Sequence, residues 1–267
     1  MTAEAIGRGA PVDRLSCYIR TLNEATRIER VVLAAKAVAA EVVVVDSGST
    51  DETVAIAEAA GARVVHQPWL GNGPQKRVGE EACSHDWLLD LDADEVVSPE
   101  LADEVRALFA NGEPTRSVHR LKLVTVPPFG EPWHDFYLAW RAKLYDRRQH
   151  RMPDHRAWDQ LQLDAGTVVG RLGGAIDHHA FRDLAHVMEK LNKVSTNRAR
   201  DGRLKPFPVV ALRVVAALPV YFFKHYVLRG LWRGGLYGFA FAGTQAIGRW
   251  LRDAKMLEMH LWRRAER

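Results

Sequence analysis

The sequence predicts an α/β fold: a mostly parallel, Rossmann-like sheet flanked by helices, followed by an amphipathic helical extension of different character. Three observations carry that prediction. Short β-branched runs alternate with helix-patterned segments through the first hundred residues, the rhythm of βαβ units. Glu41-Val42-Val43-Val44-Val45-Asp46 is apolar without alternation, as a strand buried on both faces must be. Beyond residue 200 the balance of charge reverses: residues 201–267 hold 12 Lys/Arg against 4 Asp/Glu, whereas residues 1–200 hold 25 against 29.

The elements follow in order. Leu15–Thr21 is strand-like, and Ile28–Ala40 has helical spacing at Ile28, Val31, Val32, Ala35 and Val38. Ser47-Gly48-Ser49 makes a loop after the valine run. Thr50–Ala60 is a helix, with Ser49 and Glu52 spaced as a capping box and Gly61 as its stop. Ala62–His66 is a third strand, Gln75–Cys83 a helix, and Trp87–Leu91 a fourth strand ending in an acidic turn. Pro99 opens a helix over Pro99–Phe109, where a missing N–H costs nothing. The rhythm then changes. Ser117–Val126 is a strand, and the aromatic, basic stretch Pro127–Leu161 predicts binding loops with short strands. Phe181–Arg200 is a helix, Phe207–Phe223 a strongly apolar segment, and Gly235–Ile247 a second apolar run.

Composition excludes several classes. With 47% apolar and 26% charged residues in 267, the chain is globular rather than disordered. Two cysteines, Cys17 and Cys83, make no disulfide framework and fit a reducing compartment. No Cys/His spacing suits zinc, and Met1–Asp13 has no apolar core of the secretory kind. The net charge of +4 is the sum of +8 over residues 201–267 and −4 over residues 1–200, so the chain does not read as a nucleic-acid binder. The basic tail alone calls for an anionic partner such as a membrane surface.

Chemistry concentrates at three strand ends. Leu88-Leu89-Asp90-Leu91-Asp92-Ala93-Asp94-Glu95 delivers carboxylates to the end of an apolar strand, where open α/β sheets bind ligands. Asp92 and Asp94 suit a hard divalent ion that bridges to phosphate, or else form a solvated acidic turn. Val45-Asp46-Ser47-Gly48-Ser49 places Asp46 where a carboxylate can meet a base or ribose, or else is an ordinary strand–helix junction. Thr21, Asn23 and Glu24 follow the first strand at the same edge, or else cap a turn.

Together these motifs resemble glycosyltransferase family 2, whose fold is GT-A. The matching stretches are Thr21–Glu24, Val43–Asp51 and Leu91–Glu95, in that order. Pro68–Lys76, His178–Leu184 and Lys190–Ser195 resemble the bacterial lipopolysaccharide-core glucosyltransferase branch. The resemblance covers residues 15–200. It implies a flexible N-terminus over 1–13, a catalytic domain over 14–200, and a membrane-associated helical region over 201–267. Within the catalytic domain, 14–112 would bind the nucleotide-sugar and 113–200 the acceptor. Thr21, Asn23, Glu24, Asp46, Ser47, Gly48, Lys76 and Asp92 would bind substrate, with Asp46 at the nucleoside and Lys76 a mobile charge near the diphosphate. Asp94, with Asp92 and His178, would hold Mg²⁺ or Mn²⁺. By spacing alone, Lys76 reads as a solvated helix residue and His178 as a structural histidine.

The implied reaction is inverting transfer of a sugar such as glucose from a nucleotide-sugar, foremost a UDP-sugar, to a cell-envelope glycolipid or oligosaccharide. Asp159 aligns with the branch's catalytic Glu, whereas Trp158 stands in place of its His. Asp154 is an alternative base. Trp133, Tyr137 and Trp140 would stack on a sugar or form a satellite core. Phe207–Phe223, 17 residues with Arg213 near the middle, falls short of a simple span of about 20 residues. Lys224, Arg229, Arg233, Tyr221, Tyr226 and Trp232 suit a headgroup layer. The tail is therefore expected on the cytoplasmic face of the inner membrane, peripheral or monotopic. Two rivals remain: a non-catalytic nucleotide-sugar-binding scaffold, and a sugar nucleotidyltransferase. The second lacks its usual glycine-rich loop after the first strand.

Overall fold

A computed structural model describes residues 9–200 and 204–266. The chain forms two compact units, one comprising the described part of Met1–Val124 with Ala139–Ala180, the other Thr125–Leu138 with the described part of Phe181–Arg267.

In the first unit, strands β1 (Val12–Thr21), β2 (Ala39–Asp46), β3 (Arg63–His66) and β4 (Trp87–Asp92) alternate with helices α1 (Ile28–Lys36), α2 (Thr53–Ala59) and α3 (Asn72–Ala82). Then come β5 (Glu95–Val97), α4 (Pro99–Phe109), β6 (Val118–Thr125), β7 (Ala139–Asp146) and β8 (Gly170–His178). One eight-stranded sheet results, in the order β3-β2-β1-β4-β7-β6-β8-β5. Its β3-β2-β1-β4 half is parallel. β7 then joins β4 antiparallel, β6 pairs antiparallel with β7, and β5 with β8. This is the GT-A arrangement expected from the sequence.

Alternation along the strands fills both faces. Leu15, Cys17 and Ile19 of β1, Val42 and Val44 of β2, and Trp87, Leu89 and Leu91 of β4 join α1 and α4 in the larger core. Tyr18, Val43 and Leu88 point the other way and pack with Tyr145 and Met152. Each fully buried aliphatic side chain of this kind stabilises by roughly 1.5–3 kcal/mol relative to exposure. Ser98 caps α4 by accepting from the Leu101 amide at 3.2 Å, with Pro99 in the first turn as expected.

The helix after β2 departs from expectation. It starts at Thr53, and the proposed capping box does not form. Ser49 Oγ instead accepts from the Asn23 amide at 2.9 Å, and Asp51 Oδ1 accepts from the Thr53 amide at 3.1 Å. Asp51, two residues further on, accepts from the first helical amide, because Ser49 is drawn to the neighbouring strand end.

The second unit is helical: α5 (Leu184–Arg200), α6 (Phe207–Phe223), a π turn over Lys224–Leu228, a 3₁₀ turn over Leu231–Gly234, and α7 (Gly235–Ala265). Trp133 is buried in an aromatic cluster with Phe136, Tyr137 and Phe241, so the satellite-core reading holds for it. The apolar helix is longer than its sequence pattern shows. The π turn continues it over Phe207–Leu228, 22 residues of mean hydropathy 1.6 with little burial, long enough by length and composition to cross a membrane.

Candidate active site

The C-terminal ends of β2, β1 and β4 lie side by side, with Thr21 in register with Asp46 and Arg20 with Asp92. All three sequence motifs therefore reach one sheet edge.

Arg20, which the motifs did not single out, is the hub of that edge. Its Nε donates to Asp92 Oδ1 at 2.6 Å, its Nη2 to Asp159 Oδ2 at 2.8 Å, and its Nη1 to Asn72 Oδ1 at 3.1 Å. One planar fork thus joins β1, β4, α3 and the loop after Met152. Burial works against the Arg20 charge, but Asp92 and Asp159 outweigh it and hold the guanidinium protonated well above its ordinary range. Burial would likewise raise Asp92, yet Lys76, Arg20 and Lys143 hold its carboxyl well below the usual carboxylate value. Among the described residues Asp159 has no partner other than Arg20, so its Oδ1 is uncommitted.

Glycines let the Asp159 loop close on α3. Gly71 adopts φ of +121°, and a Cβ on Gly73 would lie 1.9 Å from the Pro153 carbonyl oxygen. The Asn72 amide donates to the Arg156 carbonyl at 2.8 Å, and the Gly73 amide to that of His155 at 3.2 Å. Only glycine permits this approach. Trp158, at the branch's His position, is exposed.

Beneath the edge lies a buried charge network. Lys76 Nζ donates to Asp90 Oδ2 at 2.7 Å and sits 3.8 Å from Asp92 Oδ1. The solvated-helix reading of Lys76 is therefore corrected: the side chain is buried, and its ammonium is fixed rather than mobile. Helical spacing could not show this, because α3 turns that position onto the sheet, where Gly79 also meets Tyr18. Lys143 of β7 donates to Glu95 Oε2 at 2.7 Å and to the Asp90 carbonyl at 3.2 Å. Burial pushes the Glu95 carboxyl up, while Asp90 and Glu95 overcome burial to hold Lys143 charged. Glu95 Oε2 also accepts from the Asp92 amide at 2.8 Å. Of the four acids in the strand-end motif, Asp90 and Glu95 are framework, whereas Asp92 and Asp94 occupy the edge.

Asp94 Oδ2 lies 3.6 Å from His178 Nε2, which β8 presents across from β5. Burial lowers the His178 pKa, but Asp94 reverses the effect and leaves it raised. Asp92 turns to Arg20 and Lys76 rather than to this pair. Among the described residues no three His, Cys, Asp or Glu side chains converge as a metal cluster. A carboxylate oxygen and an imidazole nitrogen nevertheless suit a hard divalent ion that takes its other ligands from a diphosphate. Two ligands at about 2.1 Å from Mg²⁺, at right angles, lie about 3 Å apart.

The remaining predicted residues form the other side of the edge. Asp46 Oδ2 accepts from the Gly48 and Ser49 amides at 3.0 Å, the junction role, while His66 Nδ1 lies 3.6 Å away. Asn23 takes φ of +54° and its Oδ1 accepts from the Thr50 amide at 2.8 Å. The Glu24 amide donates to Thr53 Oγ1 at 2.7 Å, and Thr21 Oγ1 is buried without a partner. Buried Gln75, also missed in the sequence, ties Ser47 Oγ and the Gln67 carbonyl together at 3.1 and 2.9 Å.

Residues 16–167, more than half of the chain, match the profile described as Glycosyl transferase family 2. An uncharacterized glycosyltransferase of Rickettsia bellii is 33% identical over 93% of this chain and 87% of its own length. Lipopolysaccharide core biosynthesis glycosyltransferase LpsC of Rhizobium meliloti is 28% identical over 92% of this chain and 93% of its own. Among solved structures, glucosyl-3-phosphoglycerate synthase from Mycobacterium tuberculosis, in complex with Mn²⁺, uridine-diphosphate and glucosyl-3-phosphoglycerate, is 19% identical. That likeness covers 70% of this chain and 80% of the other, with a TM-score of 0.43. The profile match and the full-length relatives agree: this chain belongs to glycosyltransferase family 2.

Proposed function

We infer that the chain is an inverting, metal-assisted glycosyltransferase. It moves a hexose, foremost glucose, from a nucleotide-sugar, foremost a UDP-sugar, to a cell-envelope glycolipid or lipopolysaccharide-core acceptor. The observation that carries this reading is the Arg20 fork, which fixes Asp159 and Asp92 at the sheet edge where Asp94 and His178 pair.

Asp94 and His178 would hold Mg²⁺ or Mn²⁺, which when bound neutralises charge on the departing diphosphate. Lys76 and Arg20 fix Asp92 beneath the donor. Asp46, Ser47 and Gly48 present the loop that receives the nucleoside, with Thr21, Asn23 and Glu24 along its flank. Asp159 Oδ1 takes the proton of the acceptor hydroxyl as that oxygen bonds to the anomeric carbon. The bond from that carbon to the diphosphate breaks, and its electron pair leaves with the diphosphate. Arg20 orients Asp159 throughout, which leaves the general-base role independent of a histidine at position 158.

The C-terminal unit supports membrane placement. Leu212, Val215, Val220 and Leu228 of the Phe207–Leu228 helix are exposed, with Lys224, Arg229, Arg233 and Trp232 close by in sequence. We place this unit on the cytoplasmic face of the inner membrane, in the headgroup layer.

Asp94→Ala tests the site. Turnover of a UDP-sugar with a membrane extract as acceptor source should fall by about 10²-fold or more, with the thermal midpoint preserved. Unchanged turnover would remove Asp94 from the mechanism. Wild-type protein that binds donor but never turns it over would favour the non-catalytic reading that Trp158 keeps open.

A further inference from the structure

The helical unit contains a second concentration of charge, of the opposite sign. Helices α5 and α7 enclose a cavity of about 190 Å³ lined by Arg198, Arg249, Arg252, Ser195 and Gln245. Its floor exists because α7 crosses α5 at Gly248, where a Cβ would lie 2.6 Å from Leu191 Cδ2. Three arginines, with Leu191 and Val194, line this space, and little counter-charge accompanies them. Arg252 donates to Asp253 Oδ1 at 3.0 Å, but the other oxygen of that buried carboxylate is taken by Arg213 at 2.9 Å. Arg249 meets only the Tyr221 ring, at 5.9 Å, and Arg198 has no acidic partner among the described residues. Burial, with Arg249 and Arg252 beside it, lowers the Arg198 pKa, the mark of a cation held against like charge.

Like charges gathered around a cavity destabilise a fold unless an anion joins them. Planar guanidinium forks match the oxygens of phosphate, and Ser195 and Gln245 supply neutral polar groups beside them. We propose that this cavity is a phosphate-ester site, distinct from the sheet-edge site and occupied by the phosphate of an anionic lipid headgroup or of a phosphorylated acceptor. It goes beyond the transferase reading, and its test needs no activity.

Full-length protein is heated in matched ionic strength of chloride, sulfate or inorganic phosphate, and floated with vesicles of phosphatidylcholine with or without phosphatidylglycerol. Phosphate should raise the thermal midpoint above chloride and sulfate, because a ligand that binds only the folded state stabilises it. Arg198→Gln and Arg198→Gln/Arg249→Gln should lose that rise. In chloride they should melt no lower than wild type, since repulsion is relieved. Arg249→Lys keeps the charge and should keep most of the rise, which separates loss of a site from loss of fold. If the double variant also floats at least tenfold less with phosphatidylglycerol, the lipid headgroup is the source. If flotation is unchanged while the phosphate rise is lost, a phosphorylated acceptor is the source. A phosphate rise equal to that in chloride, or one that survives in the double variant, overturns the proposal.

Discussion

The two edges of the parallel half-sheet use the same residue types to opposite ends. At the N-terminal edge, Glu41 accepts from Ser16 Oγ at 2.6 Å, the Ser84 amide at 2.7 Å, Ser84 Oγ at 2.9 Å and Arg63 at 3.0 Å. Four donors surround one carboxylate, and the group is complete without a ligand. At the C-terminal edge, Asp90, Asp92, Asp94, Glu95 and Asp159 face the three fixed cations Arg20, Lys76 and Lys143, with His178 beside them. Buried Thr21 Oγ1 and Asp90 Oδ1 have no partner there. Acids outnumber fixed cations at this edge, and the proposed cation and donor would offset that excess. The difference separates a carboxylate saturated by donors, Glu41, from a strand-end cluster in which Asp90 Oδ1 has none.

The largest break in that comparison should come from Arg20→Lys. A single ammonium cannot reach Asp92, Asp159 and Asn72 at once, so Asp159, the proposed base, loses its fixed position. A misplacement of about 1 Å at a reacting group costs about 10²-fold in rate, and turnover should fall by at least that much. Because a charge is retained beneath Asp92, the thermal midpoint should move far less than the rate. If the variant turns over donor at the wild-type rate, the fork is structural only.

Glu41→Gln tests the opposite edge, and here stability rather than turnover should move. The substitution keeps the shape but loses charge-assisted hydrogen bonds, at a cost of about 1–3 kcal/mol, with turnover per folded molecule unchanged. Despite partial burial, hydrogen bonds from Ser16, Ser84 and Arg63 lower the Glu41 carboxyl to about 2 from an ordinary 4.5. The folded state therefore holds the proton more weakly than the unfolded one. The stabilisation is complete above 4.5 and disappears as pH falls through about 2. Midpoints of wild type and variant should converge over that window. A constant gap down to pH 2 would show that the charge of Glu41 contributes nothing.

Legibility in the sequence follows the same division. Local signals carry the elements: the Glu41–Asp46 run lies in β2, Pro99 opens α4, and Phe207–Phe223 matches α6. Strand-end position placed Asp46, Asp92 and Asp94 at one edge. Arg20 was invisible because a lone arginine in a strand has no pattern; its role exists only after β1 pairs with β4 and the Asp159 loop closes on α3. Lys143, and the burial of Lys76, are hidden for the same reason, since burying a lysine requires acids that arrive from other elements. The spacing of Ser49 to Glu52 points to a cap because it is local, whereas the donor that Ser49 meets, the Asn23 amide, is 26 residues away. The apolar helix was underestimated because Lys224-His225-Tyr226-Val227-Leu228 looks like a helix end, yet continues as a π turn.

The smallest predicted effect sharpens what self-sufficiency means at the N-terminal side. His119 of β6 packs 6.2 Å from Trp87 near the start of β4, and its Nδ1 is buried without a partner. Burial, with a contribution from Arg116, depresses its pKa from 6.5 to about 4. The folded state resists protonation, so the stabilisation is full above 6.5 and is lost as pH falls toward 4. Glu41 loses its contribution only at lower pH, so the two groups can be separated in one titration. His119→Leu removes both the unpaired nitrogen and the proton site, and Leu has no polar atom to satisfy beside Gly170, whose backbone the ring abuts. The midpoint at pH 7 should change little. The decline between pH 6.5 and 4 should become shallower by the one proton that His119 no longer takes up, while His179, also depressed to about 4, maintains part of the slope. An unaltered slope would mean that His119 keeps access to solvent protons, and that this side of the sheet is less closed than the burial of Trp87, Phe109 and His119 implies.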